Sequence, residues 1–139
     1  MKKQLMFLSV LAALATASVN AQEANKLKVD VPFSFHVGNS TMPAGEYDVR
    51  TNGVAPGVLM LRSSDSKAIM NIVSIPAQTR DSRDKGKLVF NHYHGEYFLS
   101  EVWNAGTNTG ALLKKTRREL EIARSEQDGD QSVIYAKTR

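Results

Sequence analysis

The chain has 139 residues, with 18 Lys and Arg against 14 Asp and Glu and no cysteine. Without thiols, cysteine nucleophiles, thiolate metal centres and iron–sulfur clusters are excluded, and stability has to come from packing and not from disulfides. The formal charge of +4 names no partner by itself.

The first 21 residues, MKKQLMFLSVLAALATASVNA, read as a secretory signal peptide. Lys2 and Lys3 form the charged region, an uncharged run from Leu5 to Ala17 follows, and Val19-Asn20-Ala21 supplies a cleavage site. That run falls short of the ~20 apolar residues that span a bilayer. The expectation is cleavage after Ala21 and an exported product, periplasmic or extracellular. Removing 21 of 139 residues leaves 118, with 16 basic and 14 acidic side chains. No later segment is apolar for long enough to span, so no integral membrane protein is expected after cleavage. An exported chain rarely meets nucleic acid, and none is expected as a partner.

Residues 22–26 read as a flexible leader and residues 27–139 as a single β-rich domain. LKVDVPFSFHV puts Leu27, Val29, Val31, Phe33, Phe35 and Val37 in one phase and polar or small residues in the other, which predicts a half-buried strand. Pro32 cannot donate to a ladder, so it marks an edge or a bulge. A turn cluster follows from Gly38 to Gly45, then a strand at 46–50 with Tyr47 and Val49 inward. Asn52-Gly53 and Pro56-Gly57 are turn dipeptides. GVLMLRS and AIMNIVSI read as the third and fourth strands, and residues 76–87, PAQTRDSRDKGK, as an exposed loop.

KLVFNHYHGEYFLSEVW, Lys87 to Trp103, predicts a hairpin turning near Gly95. NAGTNTG, 104–110, reads as loop. Thr116 and Glu119 stand at capping-box spacing ahead of a short helix over 117–125, with Leu120 and Ala123 on its packed side. Residues 127–130 break that helix, and 132–137 are open between strand and tail. Six to eight short strands with Gly and Pro turns predict a mainly β chain, a single antiparallel sandwich or small barrel with one short C-terminal helix.

Several patterns could carry chemistry. His92 and His94, two apart on a strand, have a spacing that can hold zinc or copper if a third ligand joins them. His36, Glu96 and Glu101 are the candidate third ligands. Tyr93, Tyr97 and Trp103 could form a stacking platform for sugars if exposed. GTNTGALLKK lacks the Gly-Lys-Ser/Thr step of a phosphate loop, and no Gly-x-Ser-x-Gly elbow is present. Asp128-Gly129-Asp130 lacks the remainder of a calcium loop. KKTRRELEIAR could meet anionic head groups, but Glu119 and Glu121 interleave its cations at i,i+4 spacing, which favours a solvated helix packed by Leu120. No catalytic residue and no cofactor is expected.

VPFSFHVGNSTMPAGEYDV, KLVFNHYHGEYFLSEVW and KKTRRELEIAR together resemble a family of small exported bacterial β-proteins. The resemblance covers most of the chain beyond the leader and implies a small β fold in the envelope. It supplies neither a reaction nor functional residues. The function expected is an exported, non-catalytic binding or structural module of the bacterial cell envelope, whose partner is an envelope component, protein or saccharide. The alternative is a metal-dependent or hydrolytic enzyme using His92 and His94.

Overall fold

A computed structural model describes residues 26–81, 84–125 and 129–137. The signal peptide read over 1–21 and the leader as far as Asn25 lie outside the described residues. Lys26, read as the end of the leader, opens the first strand. The elements are β1 (Lys26–Val31), β2 (Phe35–Val37), β3 (Ser40–Met42), β4 (Gly45–Arg50), β5 (Val58–Ser63), β6 (Ile69–Val73), β7 (Ile75–Gln78), β8 (Lys87–Tyr93), β9 (Glu96–Trp103), β10 (Thr109–Leu112), α1 (Arg117–Ser125) and β11 (Asp130–Tyr135).

The chain is mainly β and sandwich-like, with one short helix near its C-terminus. One sheet runs β1-β4-β5-β6; the larger runs β11-β8-β9-β10-β7, with β2 parallel against β9 and β3 against β2. Between them lie Val29, Val31, Phe35, Tyr47, Val49, Leu59, Leu61, Leu88, Phe90 and Val102. Each fully buried aliphatic or aromatic side chain is worth about 1.5–3 kcal/mol relative to exposure. Phe35 and Phe90 meet edge to face at 5.3 Å, as do Phe35 and Tyr47.

The described residues hold eleven strands where six to eight were expected, and two of the additions arise because extended runs change sheets midway. The run predicted over 27–37 leaves the first sheet at Pro32, after the Val31–Gly45 pair, and re-enters the second as β2. Its apolar phase survives: Val29, Val31, Phe35 and Val37 are buried, and Phe33 packs against the core. At Ser74 the chain leaves β6 and enters β7, which pairs antiparallel with β10. Residues 76–78, expected in an exposed loop, are therefore strand, as are Thr109 and Gly110 of the loop read over 104–110. Both belong to short strands of mixed residues without clear alternation, and Pro76 is tolerated because β7 is the terminal strand of its sheet. A short β3 occupies part of the turn cluster read over 38–45, and β11 resolves the open segment near the C-terminus as strand over Asp130–Tyr135.

The sheets are joined along both sides. On one side β6 continues into β7. On the other, the Ala136 N–H extends the β11–β8 ladder to the Gly86 carbonyl, and the next residue crosses over, the Lys137 N–H donating to the Lys28 carbonyl of β1, each at 2.8 Å. Glu46 reinforces that seam by accepting from Lys28 and Lys137. The Lys137 hydrogen bond, followed by that of Lys28, holds its carboxyl below the usual value.

The helix corrects one expectation. Thr116 caps it as predicted, its Oγ1 accepting the Glu119 N–H at 3.2 Å. Glu119, however, turns its carboxylate inward to accept from Asn91 Nδ2 at 2.8 Å, and is 4 % exposed. Leu120, expected to anchor the helix, is 44 % exposed. The helix lies on the outer face of the β8–β9 ladder, where Asn91 demands an acceptor, and that demand sets its rotation.

Candidate functional site

The β8–β9 hairpin gathers most of the residues with recognisable chemistry. Its ladder pairs His92 with Tyr97 and Tyr93 with Glu96, and a bulge interrupts it between Val89 and Phe90. His94 and Gly95 form the turn with φ of 45° and 78°, the two successive positive values that match the twist of a tight hairpin. His94 thus leaves the extended conformation, and the alternation that would put it on the face of His92 ends at Tyr93. His92 stacks on Tyr97 with centroids 4.3 Å apart, and its Nδ1 lies 2.8 Å from Asp130. His94 is exposed at the turn. Among the described residues, no group of three or more His, Cys, Asp or Glu side chains could hold a metal ion.

The three candidate stacking rings are not brought together. Tyr97, on the inner side of the ladder, lies between His92 and Phe33, whose centroid is 3.7 Å away. Tyr93, on the outer side near the turn, is buried with its edge toward Phe98 at 6.0 Å. Trp103 lies at the far end of the hairpin, 9 % exposed, with Nε1 donating to Glu101 at 2.7 Å. Its indole covers Gly110, where a Cβ would come within 2.5 Å of the ring.

Glu96 is the hub of a second cluster at the turn. It accepts from Arg118 of α1 at 2.6 Å and from His36 Nε2 of β2 at 3.2 Å. The Arg118 hydrogen bond is the main cause holding its carboxyl below the usual 4.5. The His36 ring stacks on Phe98 at 4.6 Å, and its Nδ1 lies 3.1 Å from the Thr41 hydroxyl. These contacts tie the helix and β2 to the hairpin and engage its polar groups internally.

An open site lies elsewhere, between the ends of the two sheets. A cleft of about 640 Å³ is bounded on the first-sheet side by Thr51, Asn52 and Gly57 of the β4–β5 connection. Opposite stand Pro76, Ala77 and Gln78 of β7 and Thr109, Gly110 and Ala111 of β10, with Ser74 and Asn104 completing the wall. Asn104 is 1 % exposed and Thr51 4 %. Asn104 Nδ2 donates to the Thr51 hydroxyl at 3.0 Å and to the Thr109 hydroxyl at 3.1 Å, which fixes this wall. Among the described residues, no charged side chain and no histidine lines the cleft. Sequence reasoning missed the site because Thr, Asn, Ser and Gly in turn clusters carry no signature of their own. The only signal was the density of small polar residues at 51–57 and 104–110.

No protein-family model, curated protein or solved structure matches the chain. Among the described residues, no helix is long and apolar enough to cross a membrane.

Proposed function

We propose that this protein is an exported, non-catalytic binding module of the bacterial cell envelope, and that the inter-sheet cleft is where it binds. One observation carries the reading: the cleft is lined by amides, hydroxyls, glycines, alanine and proline, none of which ionises in the working pH range. General acid–base catalysis needs a group whose pKa lies near the operating pH, whereas uncharged donors and acceptors in a concave site suit recognition. The signal-peptide pattern at the N-terminus and the resemblance to small exported bacterial β-proteins support the envelope location. The ligand class is an envelope component, protein or saccharide. The enzyme alternative gains no support from the hairpin, where His92 is engaged by Asp130 and Tyr97 and His94 lies in the turn.

Amide spectra of isotope-labelled protein, titrated with solubilised envelope fractions, test the reading. Shifts at Gly57, Gly110 and Ala111 are expected, and a response confined to the hairpin would overturn it. A melting temperature raised by zinc, with the rise abolished in His92→Ala, would establish the metal alternative instead.

A further inference from the structure

The cleft runs along a strand edge that no other strand of the described residues pairs. Among the described residues, β7 is the last strand of its sheet and pairs only with β10. Thr79 donates its N–H to the Asn108 carbonyl at 2.9 Å, and hydrogen bonding alternates along an antiparallel pair. Ile75 and Ala77 therefore direct their backbone groups at β10, while Pro76 and Gln78 direct theirs away. Ser74 shares the phase of Pro76 and Gln78, and its N–H crosses to the Gly57 carbonyl at 2.8 Å. That bond closes one end of the cleft. Among the described residues, no strand pairs with the side of β7 to which the Pro76 carbonyl and both backbone groups of Gln78 point.

Two more observations define what fits there. The lining carries no charge, so a charged occupant would lose its hydration without a compensating partner. Exposed aliphatic side chains stand beside the lining residues in sequence: Val54 at 68 %, Val73 at 80 % and Ile75 at 46 %. An uncharged lining along a strand edge, with exposed aliphatic residues adjoining it, matches an extended backbone with uncharged side chains.

We infer that the cleft takes an extended, uncharged peptide segment that adds a strand to the free edge of β7. This rests on the cleft being the binding site and names the ligand class. Main-chain hydrogen bonds to an exposed sheet edge supply affinity in this mode, and side-chain pockets supply specificity. Pro76 withdraws one donor, so Gln78 provides the sole N–H on this edge between Ile75 and Gln78. A proline at this place also discourages two copies from pairing along β7.

The test uses the purified protein with a capped heptapeptide of alternating serine and valine, and with maltotriose as the saccharide probe. Hydrogen exchange at the Gln78 amide is expected to slow about tenfold or more with the peptide. In Gln78→Pro, which removes an N–H that the β10 ladder does not use, the peptide response at Gly57 should vanish. Should that variant not fold, Asn52→Asp serves: its carboxylate keeps the acceptor for the Gly57 N–H while charging the lining. Peptide affinity should then fall about tenfold with the melting temperature unchanged. Cleft resonances that respond to maltotriose and not to the peptide would overturn the peptide assignment and leave the binding-module reading standing. Silence of those resonances with both probes and with envelope fractions would overturn both. Full peptide binding in Gln78→Pro would show that no strand is added to β7.

Discussion

The hairpin end and the inter-sheet cleft divide the molecule's chemistry between them in an unexpected way. The hairpin holds two of the three histidines, two tyrosines and the only tryptophan, yet nearly every one of these groups is engaged by a neighbour. Tyr97 is enclosed by Phe33 and His92, and Glu96 is shared between Arg118 and His36. The cleft is built of threonine, asparagine, serine and glycine, and it keeps its backbone edge open. Residues with strong chemical identity can serve as fold-specific fasteners, because stacking and charge-assisted hydrogen bonds fix geometry well. Residues with weak identity can build a site when the topology leaves a ladder unfinished.

Variants can break or sharpen this contrast. The largest effect belongs to Phe90→Ala, which removes the ring that Phe33 and Phe35 each meet edge to face. A loss of about 3–5 kcal/mol in denaturant unfolding is expected, with binding at the cleft retained in the protein that stays folded. Asn91→Leu leaves the buried Glu119 carboxylate without its donor. The expected cost is about 1.5–3 kcal/mol in denaturant unfolding.

Glu96→Gln tests the ion-pair hub. The Glu96 carboxyl is held below its ordinary 4.5, chiefly by Arg118. Its contribution is therefore complete above that value and is lost as pH falls through the lowered folded pKa. The wild-type protein should lose stability over that acidic window, and the variant should show a flatter acid limb in urea melts taken across it. At the other region, Gln78→Ala removes only an exposed side chain and keeps the backbone groups of β7. It should change stability by less than about 0.5 kcal/mol. A large loss there would mean that the cleft is structural, and the contrast between the two regions would collapse.

Much of the sheet architecture was legible in the residues. Alternation from Leu27 to Val37 placed the core face of two strands, and the β8–β9 hairpin with its turn at Gly95 followed from turn chemistry and flanking apolar runs. The Thr116 cap was equally plain. What escaped were segments whose pairing depends on a distant partner. Ile75–Gln78 and Thr109–Leu112 hold each other as strands, although neither alternates well enough to announce itself. The helix failed in a different way: Leu120 looked like its anchor, but Asn91, distant in sequence, selected Glu119 for the buried face.

By itself the sequence determined the β class, the phase of the main strands, the hairpin and the helix start, because periodicity, turn residues and caps act over a few neighbouring positions. Only the tertiary structure decided where the chain changes sheets, which way the helix faces, that His92 and His94 separate at the turn, and that β7 ends its sheet beside an open cleft. Each of those depends on which groups, far apart along the chain, find one another to satisfy their hydrogen bonds. His-Tyr-His keeps its spacing in the sequence, and the positive φ of His94 removes that spacing's meaning in the fold.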